Sequence, residues 1–319
     1  MNIIQNNYGV VNINLSVDNS VEKITKAKNL NTQFFLTLQN VLKDNEKVNQ
    51  AYNLMNCGSY LAFRHFLDGK GTKKLIGANF CKNPLCPVCS WRKHIENQKA
   101  LEKVLYNSKK YLYHIVLAIP NTFELSREHI RELKENAIKF IKDESGLYCS
   151  SYFLSLEIVY SEKGFHPHLH IIIESDYYIK VSEEYIIEMS KLWRLYSDRT
   201  FSWRDFYNKD KRGYTFYITG IKKCDVVSAS KELTKYVLKP SSYDIITYEV
   251  VEQLYMSISR THLLSFGGNI KKQLIQTKKD INFSDEEVYT HLMDNYAYID
   301  VIFEWLNEES RYKVSIYDL

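Results

Sequence analysis

The chain has little of what marks membrane, secreted or repeat proteins. None of its 319 residues falls in an apolar run approaching the length of a membrane span, about eighteen residues or more. The first twenty residues lack the basic segment and following apolar segment of a signal peptide. We find no internal repeat and no low-complexity segment. We therefore expect a globular protein of the cytoplasm, with no membrane partner.

Cysteine is also scarce, with six residues in the chain, but four of these fall within 33 residues. The four are Cys57, Cys81, Cys86 and Cys89. The last two form a C-x-x-C pair, and this spacing is typical of a tetrahedral Zn²⁺ site. Disulfides are the alternative, but nothing indicates secretion and a reducing cytosol disfavours them. The sequence thus predicts structural zinc.

The net charge of +4 hides an asymmetry between the body of the chain and its end. Residues 281–319 carry a net charge of −7, which leaves +11 on residues 1–280. A basic body suits a polyanionic partner, and 25 Tyr with 15 Phe offer faces on which unpaired bases can stack. Solvated lysines and core tyrosines would give the same composition, so composition alone does not establish nucleic-acid binding.

The hydrophobic pattern predicts an α+β fold in which helices flank a mostly antiparallel sheet. We expect a flexible arm and a helical lead-in over 1–55, with the arm ending near residue 20. A zinc-ribbon-like segment and linking helix follow over 56–108, a core over 109–245, and a helical region with an acidic tail over 246–319. The predicted strands are 59–66, 73–80, 111–119, 152–160, 166–174 and 214–221, and the main predicted helices are 91–110, 126–143, 182–193 and 228–239.

Three histidines alternate along the second strand of the predicted hairpin formed by 152–160 and 166–174. Alternate residues of a strand share one face, so His166, His168 and His170 lie together while Leu169 and its apolar neighbours face the core. Imidazoles so placed can converge on one metal ion. Histidines on a solvated sheet face are the alternative for this pattern taken alone.

A second cluster lies in the predicted helix 228–239. Glu232 and Tyr236 are four residues apart and Lys239 three further on, so the three share one helical face. A tyrosine beside a carboxylate and a lysine can act as an activated nucleophile. Core packing of the tyrosine and a solvated ion pair are the alternative interpretation.

The order of these motifs resembles replication initiator (Rep) proteins of bacterial rolling-circle plasmids, which belong to the HUH endonucleases. The resemblance covers roughly residues 55–280. The HUH motif is His168-Leu169-His170, and FCKNPLCPVCSWRK with the Glu-x-x-x-Tyr helix is similar to the branch that uses one Tyr and one Glu. Residues 109–245 would then form an HUH nuclease core with a central, mostly antiparallel sheet.

The resemblance implies a metal-dependent, site-specific endonuclease and strand transferase. His168 and His170 would hold Mg²⁺ or Mn²⁺, with Glu157 as third ligand and His166 as the alternative. Tyr236 would attack the plasmid origin to form a 5′-phosphotyrosine, Lys239 would assist, and Glu232 would activate water for the terminating cleavage.

The same resemblance implies the partners. These would be duplex and single-stranded origin DNA, a host helicase and a host DNA polymerase. Arg92 and Lys93, which follow the cysteines, are candidates for the DNA-binding surface. The sequence does not fix the oligomeric state.

Three other functions fit parts of this pattern. A single-Tyr HUH transposase or a relaxase would use the same chemistry on a different DNA. A zinc-dependent DNA-binding protein would bind DNA and leave it uncut. An iron oxygenase could use His168, His170 and a carboxylate as a facial triad, although the mixed helix and strand pattern argues against it.

Overall fold

The elements of the chain follow from its apolar periodicity. The computed structural model describes residues 2–6, 9–13, 19–30, 32–143, 145–202, 205, 214–234 and 246–317. The strands are β1 (Asn2–Asn6), β2 (Gly9–Ile13), β3 (Tyr60–Phe66), β4 (Lys73–Ala78), β5 (Tyr111–Ala118), β6 (Cys149–Ser161), β7 (Gly164–Ser175), β8 (Thr215–Ile221), β9 (Leu264–Gly267), β10 (Tyr298–Leu306) and β11 (Arg311–Tyr317). The helices are α1 (Asn19–Leu30), α2 (Thr32–Asp44), α3 (Val48–Met55), α4 (Pro87–Asn107), α5 (Arg127–Asp143), α6 (Glu183–Ser197), α7 (Val226–Leu233), α8 (Tyr248–Ile258) and α9 (Gly268–Asn295).

A five-stranded antiparallel sheet in the order β8-β5-β7-β6-β9 forms the centre of the fold. One face carries buried residues such as Ile115, Leu154 and Leu169, which belong to the same core cluster as the apolar sides of α5, α6 and α8. Helices therefore flank an antiparallel sheet, and the predicted α+β class is confirmed. The sheet also extends past residue 245, because β9 pairs with β6.

The opposite face of this sheet is covered over part of its length by α4, α7 and α9. Leu112, Phe153 and Ile172 project from three neighbouring strands into a second apolar cluster. These helices contribute Leu101, Leu105, Val226, Leu233, Ile270 and Leu274. The histidines of β7 lie farther along the same face, so an apolar layer borders the polar residues.

A second antiparallel sheet has the order β11-β10-β3-β4 and joins distant parts of the chain. Arg64 on β3 makes a two-pronged ion pair with Asp300 on β10, with N···O distances of 2.8 and 2.6 Å. The prediction that 246–319 is all helix is therefore wrong for β10 and β11. Ile299, Val301 and Phe303 alternate as buried residues of a strand, a period that the acidic composition of the tail obscured.

The start of the chain also differs from the prediction. Residues 1–20 were expected to form an arm without regular structure, but β1 and β2 pair as an antiparallel hairpin with Asn6 opposite Gly9. The apolar residues of IIQN and GVVNI form runs too short to distinguish a strand from a loop. Among the described residues, no helix is long and apolar enough to cross a membrane.

Gly267 and Gly268 mark a break in the C-terminal region, because β9 ends at the first and α9 begins at the second. Gly268 has a φ of +62°, which disfavours any residue with a Cβ. A Cβ at this position would lie 2.5 Å from the carbonyl oxygen of Ser150 and from Cβ of Ser151. The glycine thus permits close packing of α9 against β6.

We expect Gly268→Ala to lower the free energy of unfolding by about 3 kcal/mol or more, since it adds a backbone clash to a left-handed conformation. Gly69→Ala is a matched control, because Gly69 has a φ of +71° but no atom within 4 Å of the place that an alanine Cβ would take. This control should cost about 1 kcal/mol. Urea unfolding measures both, and equal losses would contradict the role assigned to the close contact.

Candidate active site and cysteine cluster

The hairpin of β6 and β7 brings together the three predicted metal ligands. Its register pairs Glu157 with His168, so both side chains lie on the same face of the sheet. His170 follows two residues later on that face. The Nε2 atoms of His168 and His170 lie 2.6 and 3.1 Å from Oε2 of Glu157. All three side chains are largely buried.

This donor set fits a divalent ion. All three donor atoms lie within 4.8 Å of one another. Adjacent ligands of an octahedral ion with bonds near 2.1 Å are about 3.0 Å apart, close to the two distances found here. Burial raises the pKa of Glu157, but hydrogen bonds from His168 and His170 outweigh it and hold the pKa well below its usual range. The carboxylate is therefore ionised at neutral pH.

The other nitrogen of each histidine is held by a neighbouring group. His170 Nδ1 lies 3.1 Å from Nε2 of His114, and the two rings stack with centroids 5.3 Å apart. His168 Nδ1 lies 3.3 Å from the carbonyl oxygen of His166. These contacts orient both Nε2 atoms towards Glu157, as is usual for metal-ligating histidines. The ring of His166 itself contacts Asn121 at 3.1 Å and is outside the group of three.

His114 on β5 extends the site towards α7. Burial, together with the neighbouring His170, lowers the pKa of His114 to about 4, so its ring is neutral at pH 7. The charge of Glu232 acts in the opposite direction on this pKa, which places Glu232 near His114. Glu232 is half-buried on α7, and α7 packs against β7. The structure thus places Glu232 on the helix that packs against the strand bearing His168 and His170.

The helix predicted for 228–239 is described as far as Leu233, with Thr234 following it. The hydroxyl of Thr234 lies 2.9 Å from Nδ1 of His94, a buried residue of α4. This contact fixes the end of α7 against α4. Tyr236 and Lys239, the predicted nucleophile and its cation, lie outside the described residues.

The four predicted zinc ligands form a compact cluster. Cys57 precedes β3 and the other three follow β4, so the cluster joins both ends of that hairpin and the start of α4. The Sγ atom of Cys57 lies 3.5 Å from that of Cys89 and 3.6 Å from that of Cys86, and Cys81 lies 3.6 Å from Cys89. These separations are far too long for disulfides.

The cluster fits a tetrahedral zinc ion. Sulfurs bound at about 2.3 Å to one Zn²⁺ are about 3.8 Å apart, close to the spacing found. Hydrogen bonds from the neighbouring thiols, with another from the backbone N–H of Lys82, hold the pKa of Cys89 well below its usual range. Lys28 on α1 donates to the carbonyl oxygen of Cys57 at 2.9 Å. Cys89 thus has thiolate character, and a cation lies beside the cluster.

Arg92 and Lys93, the candidate DNA contacts, are both exposed in the first half of α4. The guanidinium of Arg92 lies 3.6 Å above the ring centre of Phe80, and Lys93 pairs with Glu96 at 2.9 Å. Both side chains can reach a polyanion alongside the cysteine cluster.

Two histidines around this site, His114 and His94, were not singled out from the sequence. His114 gives a weak signal, since it is a polar residue inside the apolar strand YLYHIVLAI. His94 gives none, because its partner Thr234 is 140 residues away in the chain.

The chain is similar to known replication proteins. A family model described as Replication protein matches residues 72–313. A curated "Protein rep" of Lentilactobacillus hilgardii is 27% identical over 289 residues, covering 82% of this chain and 86% of that protein. A "Protein rep" of Staphylococcus aureus is 29% identical over 244 residues, covering 70% and 95%. Another, of Streptococcus pneumoniae, is 26% identical over 263 residues, covering 73% and 74%.

No solved structure matches the chain significantly. The family match includes Glu157, His168, His170 and three of the cysteines, while Cys57 precedes it. It spans about three quarters of the chain. The protein therefore belongs to the Replication protein family, the plasmid replication initiators of the rolling-circle type that its sequence resembles.

Proposed function

We propose that the protein is a metal-dependent nickase and strand transferase that cuts one strand at the double-strand origin of a plasmid. The observation that carries this proposal is the convergence of Glu157, His168 and His170 beside the helix that bears Glu232. A site built only to bind DNA has no need for three buried donors that meet within hydrogen-bonding distance. Because its proposed substrate is plasmid DNA, we expect the protein to act in the cytoplasm.

Glu157, His168 and His170 would hold a divalent ion, Mg²⁺ or Mn²⁺. When bound, such an ion supplies Lewis-acid stabilisation of the charge that develops on the attacked phosphate. The residues themselves set its position. His114 and the carbonyl oxygen of His166 engage the Nδ1 atoms of His170 and His168, and this leaves both Nε2 atoms directed at the site.

Tyr236 is the proposed nucleophile. Its hydroxyl oxygen would attack the phosphorus, and the bond from phosphorus to the 3′-oxygen would break. The DNA would then remain attached as a 5′-phosphotyrosine, and the departing 3′-oxygen would take up a proton. Lys239 would stabilise the phosphate or lower the phenol pKa. The free 3′-OH is a primer for a host polymerase, while a host helicase unwinds the strand ahead.

Glu232 is the proposed general base of the terminating cleavage. One tyrosine serves one attack, so a second cleavage needs a different nucleophile, and water activated by a carboxylate supplies it. The half-buried position of Glu232 near His114 supports this assignment. The Cys₄ cluster would hold a structural Zn²⁺, because its sulfur spacing and the thiolate character of Cys89 suit that ion.

Cys57→Ser should reduce zinc from about one ion per chain to well below that, because one of four ligands is lost. Metal content measured by mass spectrometry on the purified protein checks this. Cys224→Ser is the control, since Cys224 is exposed and outside the cluster. An unaltered zinc content in the Cys57 variant would remove Cys57 from the ligand set.

Tyr236→Phe should abolish the covalent adduct with single-stranded origin DNA in Mn²⁺, because the phenyl ring has no hydroxyl oxygen to attack. DNA affinity should stay within about twofold of the parent. Labelled oligonucleotides and a denaturing protein gel measure the adduct, and EDTA should also abolish it.

Tyr243→Phe is the matched control for that experiment, since Tyr243 is the next tyrosine along the chain. It should retain the adduct. An adduct that persists in the Tyr236 variant and disappears in the Tyr243 variant would transfer the role to Tyr243. Tight DNA binding with no adduct in the parent protein would favour a zinc-dependent binder without catalysis.

Glu232→Ala should slow the second cleavage by about 100-fold or more, the usual contribution of a general base, and leave the first nick within a few-fold. Rates of the two steps on an origin substrate that reports both would separate them. Lys231→Ala, the exposed neighbour on α7, is the control. Equal slowing of both steps would show that Glu232 acts in the first attack or in holding the site together.

A further inference from the structure

A groove of about 380 Å³ lies outside the histidine site, at the other side of α4. Its walls come from α1, the β3–β4 hairpin with the segment after it, α4 and α9. The volume falls in the usual range for small-ligand pockets. Its lining residues include Phe63, Leu75, Phe80, Trp91, Lys99 and Lys278.

Aromatic rings form one side of the groove. Phe80 and Trp91 are half-buried, so each keeps part of its surface open to the groove. The guanidinium of Arg92 already stacks on Phe80 at 3.6 Å from the ring centre. Stacked arginine and aromatic groups of this kind form platforms for unpaired bases.

Three cations line the groove beside these rings: Arg92, Lys99 and Lys278. Two acids, Glu96 and Asp285, also line it. Lys278 lies 3.7 Å from Glu96, which offsets part of that negative charge. The lining thus combines aromatic rings with three cations and two acids, and its small positive excess suits nucleic acid.

The groove and the end of α7 both lie against α4. Trp91, Ile95 and Lys99 face it at helical spacing on α4, while His94 of the same turns is buried against Thr234. An α-helix is about 10 Å across, a distance that a DNA strand spans within a few nucleotides.

We infer that this groove binds one unpaired base of the origin strand, stacked on Trp91 and Phe80, within a few nucleotides of the cleaved bond. The inference rests on the proposed function, which supplies single-stranded DNA as substrate. The groove gives that function a site for base recognition apart from the metal site. A paired base cannot enter, because its edges and faces are occupied within the duplex.

Photo-crosslinking tests the contact directly in the unmodified protein. Single-stranded origin DNA carries 5-iodouracil at one position at a time on either side of the nick, and the crosslinked peptide is mapped by mass spectrometry. We expect one or two adjacent positions to crosslink to Trp91 or Phe80. Crosslinks found only elsewhere, such as at the exposed Tyr177 and Tyr178, would overturn the inference.

Affinity measurements test the same contact without depending on crosslinking chemistry. An abasic nucleotide at the crosslinking position should weaken binding to the parent protein about tenfold, which is the loss of one stacked base. The Trp91→Leu variant should bind the abasic DNA as tightly as it binds the intact DNA. An abasic effect of equal size in that variant would overturn the inference.

Because Trp91 also packs against the core, Lys99→Glu gives a second test at an exposed residue. It should weaken binding of single-stranded DNA by about tenfold at low salt, and more than binding of the duplex. Lys43→Glu, an exposed lysine on α2 outside the groove, is the charge-matched control. Equal effects of the two variants would overturn the inference.

The outcomes also separate this inference from the proposed function. If the protein forms no covalent adduct but still crosslinks at Trp91, the inference about the groove stands and the proposed nickase activity is rejected. If the adduct forms and the groove variants keep full activity and full DNA binding, the nickase activity stands and the inference about the groove is rejected.

Discussion

Backbone pairing between β6 and β7 holds the site together, because its register places Glu157 opposite His168. A slip of one residue would turn every side chain of one strand to the other face. The apolar residues that alternate with the histidines oppose such a slip, since Leu169 and Ile171 would leave the core. The same packing that stabilises the hairpin thus fixes the metal-binding geometry. A change in the register of this hairpin would therefore also separate the three donor side chains.

Burial of the three donor side chains costs free energy, and neighbouring groups offset that cost. Burying a carboxylate is unfavourable unless hydrogen bonds compensate, and Glu157 receives such bonds from two histidines. His114 is kept neutral by its burial, so it adds no further positive charge beside His170. Leu112, Phe153 and Ile172 continue this face as an apolar layer, which α4, α7 and α9 cover. The buried donors therefore border a packed apolar cluster.

Local patterns allowed much of the site to be predicted, and long-range contacts account for what was missed. The period of two along β7 placed His168 and His170 on one face, and cysteine spacing identified the cluster. Neither pattern contains the contact between His94 and Thr234 or the ion pair between Arg64 and Asp300, which joins residues 236 positions apart. The strand β10 was missed because its partner β3 is equally distant and its acidic residues suggested solvated helix, and β11 was missed with it because it pairs with β10.

The helix α4 contacts the cysteine cluster, the aromatic groove and the end of α7. It begins at the cysteine cluster, faces the aromatic groove with one side, and holds the end of α7 through His94 with another. When the first turn of a packed helix is displaced, the rest of the helix moves with it, because its backbone hydrogen bonds resist bending. The cysteine cluster sets where α4 begins, since Cys86 precedes its first turn and Cys89 lies in it. The placement of the end of α7 through His94 therefore depends in part on the cluster.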